Sequence, residues 1–133
     1  NKIAPEILEA IKKNRNIIVH PFVTDIERYY AAIDCLLLPS YREGFGNVVI
    51  EAGAMGTASI VSNIPGPKEI VFNIGGVICN VRDTKGLKEC MDNFQLIDST
   101  LLSNAVKKKY DQNILNRYIY ERKQQLLARN VEV

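Results

Sequence analysis

The sequence is poor in the residues that build metal and redox centres: 133 residues carry one histidine and three cysteines. Cys35, Cys79 and Cys90 are odd in number and far apart, and none stands at zinc-ligand spacing, which a single histidine could not complete in any case. Cys35 and Cys79 fall in apolar, strand-like runs, so all three read as reduced thiols of a cytoplasmic protein. No aspartate cluster offers a site to a divalent cation. No stretch reads as a signal peptide and no apolar run approaches ~18 residues, so no segment is expected to span a membrane. An excess of charge is also missing. Seventeen basic and 15 acidic side chains leave +2, too near neutral to argue for nucleic acid, although the C-terminal third is locally basic. Repeats and low-complexity tracts are absent.

What is present is an ordinary globular balance, 47% hydrophobic and 24% charged, in a length that suits one domain or a piece of one. The chain opens on Asn1, without methionine, at the edge of a helix, which leads us to expect a segment cut from something longer. Pro5 suits the first turn of a helix whose apolar stripe is Ile7, Leu8 and Ile11 and which ends near Lys13. The β-branched run Ile17–Val19 reads as a buried strand, and Asp25 as the cap of a helix from Ile26 to about Ile33. Cys35–Leu38 is a second apolar strand, stopped by Pro39. A loop over 40–46 leads to a helix from Asn47 to about Met55. Ser59–Ser62 is a third strand, Pro67–Val71 a short helical turn, and Val77–Val81 a fourth strand behind Gly75 and Gly76. Thr84 or Asp83 caps a helix to about Phe94, and helices over about Ser99–Lys109 and Asp111–Arg129 close the chain. Short strands, apolar on both faces and alternating with helices, predict an α/β fold: a Rossmann-like parallel sheet of about four strands flanked by helices.

In such sheets ligands collect at the C-terminal ends of the strands. The loop that leaves Cys35–Leu38 reads PSYREGFGN and runs straight into a helix. Gly44 and Gly46 allow close backbone approach, and the helix start offers free N–H groups and a positive dipole end, together a place for phosphate. Two acids bracket it. Glu43 stands at the loop's start and Glu51 about one turn into the helix, beside the small residues Ala52, Gly53 and Ala54. A carboxylate there can accept from vicinal hydroxyls such as those of a ribose. The plainer reading has both acids solvated or paired with Arg42 or Lys68.

The stretch PSYREGFGNVVIEAGAMGTASIVSNIPGPKEIV resembles the donor-site signature of retaining glycosyltransferases of family 4 (group 1 glycosyltransferases). The likeness lies in the strand ending LPS, the Glu43-x7-Glu51 pair, the small-residue helix EAGAMG and the strand and turn SIVSNIPGPKEIV. Upstream, NIIVHPFVTDIERYYAAIDCLLLPS is similar to the family's strand, base-contacting loop, helix and strand. The resemblance runs from about Pro5 to Phe94. It implies that residues 1–133 are part of the C-terminal, donor-binding half of a GT-B enzyme, with the closing helices over about 99–129. Such an enzyme transfers sugar from a UDP- or GDP-linked donor with retention and without a metal or other cofactor. Glu43 would then be the catalytic-site carboxylate on the sugar hydroxyls. The backbone of Gly44, Phe45, Gly46, Asn47 and Val48 would cradle sugar and diphosphate, Glu51 would hold the ribose hydroxyls, and Val23 would touch the base. The donor phosphate itself would help to deprotonate the acceptor, which is a sugar, lipid-linked or glycan molecule of polysaccharide or glycoconjugate synthesis.

The sequence also departs from that pattern. The family's Arg/Lys pair that clamps the diphosphate has no counterpart, since Lys12 and Lys13 do not stand in its position, and Pro21 replaces a glycine common beside the base. A non-catalytic nucleotide-sugar binding module and a GT-B nucleotide-sugar epimerase are the alternatives to a transferase. His20 is read as bordering the cleft, Tyr29 and Tyr30 as packing residues and Ser40 as a strand-end cap. Lys107–Lys109, Arg117, Arg122, Lys123 and Arg129 are read as a solvated face, with peripheral contact at the inner membrane surface as the second reading. The resembled sheet runs 3-2-1-4-5-6, and this chain holds counterparts of strands three to six. Ile17–Val19 is therefore expected either to close onto Cys35–Leu38 or to leave a gap that a second copy fills, with self-association expected in both cases.

Overall fold

The computed structural model describes residues 3–111. Its elements follow in the order α1 (Pro5–Lys13), α2 (Ile26–Ala32), β1 (Cys35–Leu38), α3 (Asn47–Ala54), β2 (Ala58–Ser62), α4 (Pro67–Ile74), β3 (Val77–Cys79), α5 (Thr84–Asp92) and α6 (Ser99–Tyr110). The start signals at Pro5 and Asp83 act as the sequence suggests, whereas Asp25 precedes α2 without capping it, its carboxylate lying 3.8 Å from Arg28 Nε instead of on a backbone N–H. Pro5 sits in the first turn of α1, the Asp83 carboxylate accepts from the Gly86 N–H at 2.8 Å to cap α5, and Asp98 accepts from Leu101 N–H at 2.9 Å to cap α6. The turn expected at Pro67 extends into an eight-residue helix. The helix expected from Asp111 to Arg129 lies outside the described residues.

Among the described residues the sheet has three strands, not four. Its order is β1-β2-β3, all parallel, with Leu38 beside Val61 and Ser62 beside Cys79. Being central, β2 is buried along its whole length. On it pack Val49 of α3, Ile70, Val71 and Ile74 of α4, and Leu102 and Val106 of α6, which form the core with Ala58 and Val61. Each such side chain contributes about 1.5–3 kcal/mol by leaving water. The small residue at Gly53 is what lets α3, α4 and α6 converge: a Cβ there would stand 2.8 Å from Val106 Cγ2 and 2.9 Å from Ile74 Cδ1.

Ile17–Val19 is the departure. The run forms no strand and pairs neither with β1 nor with any other described segment. Its side chains are 44, 76 and 73% exposed, and Phe22 nearby is 93% exposed. The Ile17 N–H turns back on the Asn14 carbonyl instead. The helix that joins the run to β1, α2, packs on α3, and the run is not returned to the sheet edge. With so little apolar surface buried at Ile18 and Val19, the entropy of ordering a fourth strand is not offset. The edge of β1 stays open, with Leu37 38% exposed.

Candidate functional site

Parallel pairing sets the C-terminal ends of all three strands side by side, so the loops that leave them gather at one rim. Two of these loops touch. The β1–α3 loop, 39–46, carries Glu43 to Gly46, and the β2–α4 turn, 63–66, carries Gly66. A Cβ on Gly66 would stand 2.5 Å from the Gly44 carbonyl oxygen and 2.9 Å from that of Phe45, so the two backbones are in van der Waals contact. Gly66 adopts φ +92°. It is held by its own helix, because the Glu69 carboxylate accepts from the Gly66 N–H at 2.6 Å. Gly46 likewise adopts φ +90° as the residue before α3, against the ring of Pro67.

Gly46 has no side chain to cap α3, and no other side chain among the described residues does so. The helix thus presents its first-turn N–H groups, those of Asn47 and Val48, uncapped beside an open space. Gly44 has no heavy atom within 4 Å of where a Cβ would be. An uncapped helix start with an open approach is the arrangement that suits an anion. Phe45 leans edge-on against Tyr110 at the end of α6, ring centres 6.2 Å apart. The Tyr110 hydroxyl in turn accepts from Asn73 of α4 at 3.0 Å.

The two acids are held differently, and neither is paired with Arg42 or Lys68. Ion pairs among the described residues join Lys13 to Glu9, Arg28 to Asp25 and Lys88 to Asp92. Glu43 is exposed, and its Oε1 accepts from the Ser40 hydroxyl at 2.9 Å. Glu51 is exposed on α3, where its Oε2 accepts from the Tyr30 hydroxyl of α2 at 3.1 Å. Tyr30 itself is buried, and burial first, then the Glu51 carboxylate at its hydroxyl, push its pKa up to about 12. The backbone carbonyl of Tyr30 accepts from the Thr57 hydroxyl just before β2.

Ser40 and Tyr30 therefore do more than cap a strand or fill space. The Ser40-x-x-Glu43 spacing, the same as a capping box, was a usable signal for the first. No local signal marks the second, since 21 residues separate Tyr30 from Glu51. Val23 lies half-buried on the coil that enters α2 and is linked to Glu51 only through that helix. His20 is exposed and stacks edge-on with Tyr29, ring centres 5.0 Å apart. Lys107, Lys108 and Lys109 are exposed on the last turn of α6, while Arg117, Arg122, Lys123 and Arg129 lie outside the described residues. A hollow of about 390 Å³ runs between the outer edge of β3 and α5, lined among others by Cys79, Asp83, Glu89 and Cys90. It lies away from both Glu43 and Glu51, and of its two acids Asp83 is already engaged in capping α5. Among the described residues no three His, Cys, Asp or Glu side chains gather as a metal site, and no helix is long and apolar enough to cross a membrane.

Comparison with known proteins follows the same stretch. The model of the family described as "Glycosyl transferases group 1" matches residues 2–95, most of the chain. The capsular polysaccharide biosynthesis glycosyltransferase CapM of Staphylococcus aureus is 28% identical over 84% of this chain and 30% of its own length. The N,N'-diacetylbacillosaminyl-diphospho-undecaprenol alpha-1,3-N-acetylgalactosaminyltransferase of Campylobacter jejuni is 35% identical over 72% of this chain and 27% of its own. Among solved structures, Anabaena Alr3699/HepE in complex with UDP superposes with a TM-score of 0.74 at 23% identity, over 90% of this chain and 36% of that one. The chain thus spans about a third or less of the length of the relatives it matches. Its three-stranded parallel sheet and flanking helices match part of a GT-B glycosyltransferase. The chain belongs to the group 1 glycosyl transferases.

Proposed function

We propose that this chain is the donor-binding part of a retaining, metal-independent glycosyltransferase of the hexosyltransferase type. The parent enzyme would move sugar from a UDP- or GDP-linked donor to an acceptor in polysaccharide or glycoconjugate synthesis. The observation that carries the reading is the uncapped start of α3 at the sheet rim, bracketed by two acids that have no cationic partner. In this reading the diphosphate lies over the N–H groups of Asn47 and Val48, reached across Gly44, Phe45 and Gly46. Glu43, steadied by Ser40, accepts from hydroxyls of the transferred sugar and is the catalytic-site carboxylate. Glu51 accepts from the ribose, and the coil at Val23 lies toward the base. The relatives' names favour a capsular or lipid-linked glycan as product or acceptor, and the UDP complex of HepE favours uridine as the base. The acceptor's proton would pass to the departing donor phosphate, so the chain itself need supply no nucleophile.

Calorimetry of UDP, GDP and a matching nucleotide sugar on the 133-residue chain tests the assignment. Glu51→Gln is expected to weaken binding of the nucleotide alone, whereas Glu43→Gln spares the nucleotide and loses the extra affinity that the sugar provides. A hydrogen bond to a charged group is worth about 1.5–3 kcal/mol, so each loss should reach roughly tenfold or more. Equal and negligible effects of the two changes would sink the assignment.

A further inference from the structure

We propose that Tyr30 is the positioning residue for ribose recognition: its buried hydroxyl holds one oxygen of Glu51 and leaves the other free to accept from the nucleotide's ribose. The inference rests on the reading of Glu51 given above, and it assigns to Tyr30 a role beyond packing. Three elements meet at this tyrosine. Its ring is 6% exposed under α3, its hydroxyl donates to Glu51 Oε2 at 3.1 Å, and its own carbonyl accepts from Thr57, itself 5% exposed. A phenol sunk this far needs a partner for its O–H, and the partner it finds is one oxygen of an otherwise exposed acid. The Thr57 bond fixes the backbone from which Tyr30 projects, and the ring cannot swing away without opening the α2–α3 contact.

The consequence falls on Glu51. An exposed glutamate on a helix surface explores several rotamers, and one must be selected when a ligand arrives. Anchoring one oxygen makes that selection before binding, so less freedom is lost on association. It also divides the carboxylate's work, with Oε2 committed to the protein and Oε1 left for the ligand. The Tyr30 pKa, pushed up to about 12, keeps the phenol protonated and donating across the ordinary pH range. A preorganised side chain of this kind is worth roughly three- to tenfold in affinity. That gain belongs only to ligands that use Glu51.

The test is calorimetry on the 133-residue chain with UDP and GDP, each beside its 2′-deoxy counterpart. Wild type is expected to prefer the ribose form. Tyr30→Phe keeps the ring and removes the O–H, so it should lose roughly three- to tenfold for the ribose form and little for the 2′-deoxy form, with unchanged binding stoichiometry. If Tyr30→Phe does not fold, Thr57→Val, which frees the Tyr30 carbonyl, is expected to give a smaller loss of the same pattern. Equal losses for both sugar forms mean that Tyr30 only supports packing, and they overturn the proposal. So does a variant that keeps the wild-type preference while Glu51→Gln abolishes it. A different result strikes the reading of Glu51 itself: Glu51→Gln retaining the ribose preference, or no binding of either nucleotide by wild type, removes the ribose role and this inference with it.

Discussion

Replacing Gly66 by alanine is expected to damage the β1–α3 loop without touching it in sequence. The turn at Gly66 adopts φ +92° and ψ −85°, a conformation that costs an L residue roughly 1–3 kcal/mol. The added Cβ would stand 2.5 Å from the Gly44 carbonyl oxygen and 2.9 Å from that of Phe45. Both are backbone atoms, so no rotamer change relieves the clash and the loop itself must move. Overpacking of this kind costs roughly another 1–3 kcal/mol. Against this stands a gain of about 0.4–1 kcal/mol from the stiffer unfolded chain. The net loss is therefore about 1–5 kcal/mol, a sizeable share of the 5–15 kcal/mol that holds a typical domain together. At an m-value near 1.5 kcal/mol/M, the urea midpoint should fall by roughly 1–3 M. Gly44→Ala is the control. Its Cβ meets nothing within 4 Å, so the midpoint should stay within about 0.5 M while UDP binding falls, because the methyl enters the proposed diphosphate path. An unchanged midpoint for Gly66→Ala would show that the turn and the loop are not in fact packed together. Unchanged UDP binding by Gly44→Ala would remove the diphosphate from this loop.

Three further outcomes are expected. Tyr30 ionises near pH 10 when unfolded and near 12 when folded. Between those values the unfolded chain binds fewer protons, so this tyrosine's contribution is intact below pH 10 and is lost as pH rises through 12. Wild type should lose roughly 2–3 kcal/mol relative to Tyr30→Phe over that window, and parallel alkaline denaturation curves for the two proteins would contradict the burial. The 133-residue chain alone should transfer no sugar, since it has no Arg/Lys pair to stabilise charge on the leaving diphosphate; turnover of a nucleotide-sugar panel by the purified chain would overthrow this. Finally, the open edge of β1 and the exposed Ile18, Val19 and Phe22 should drive self-association. Sedimentation is expected to show species above the monomer that diminish in Phe22→Ser, and a clean monomer at every concentration would disprove it.

Local chemistry alone settled much of this protein. Pro5 and Asp83 mark helix starts because a missing N–H or a short acceptor suits the first turn, and that chemistry needs no distant partner. Cys35–Leu38 is apolar on both faces and four residues long, the pattern of a parallel strand, and it forms one even though it ends at the sheet edge. Gly44 and Gly46 before an uncapped helix, with Glu43 and Glu51 around it, were legible because they all lie within nine consecutive residues. Ile17–Val19 has the same β-branched character as a strand and yet remains unpaired. A strand exists only when an edge meets it, and whether one does depends on where α2 packs, which the three residues do not encode. The same holds inside the site. Tyr30 and Glu51 are 21 residues apart, and Gly66 meets the Gly44 carbonyl across the mouth of the sheet. Those contacts arise only after parallel pairing of β1 with β2 brings two loop ends to one rim. The sequence by itself determined which groups are available at the rim and that Ser40 can hold Glu43; tertiary packing decided that Glu51 is held, because its partner Tyr30 comes from another element of the fold.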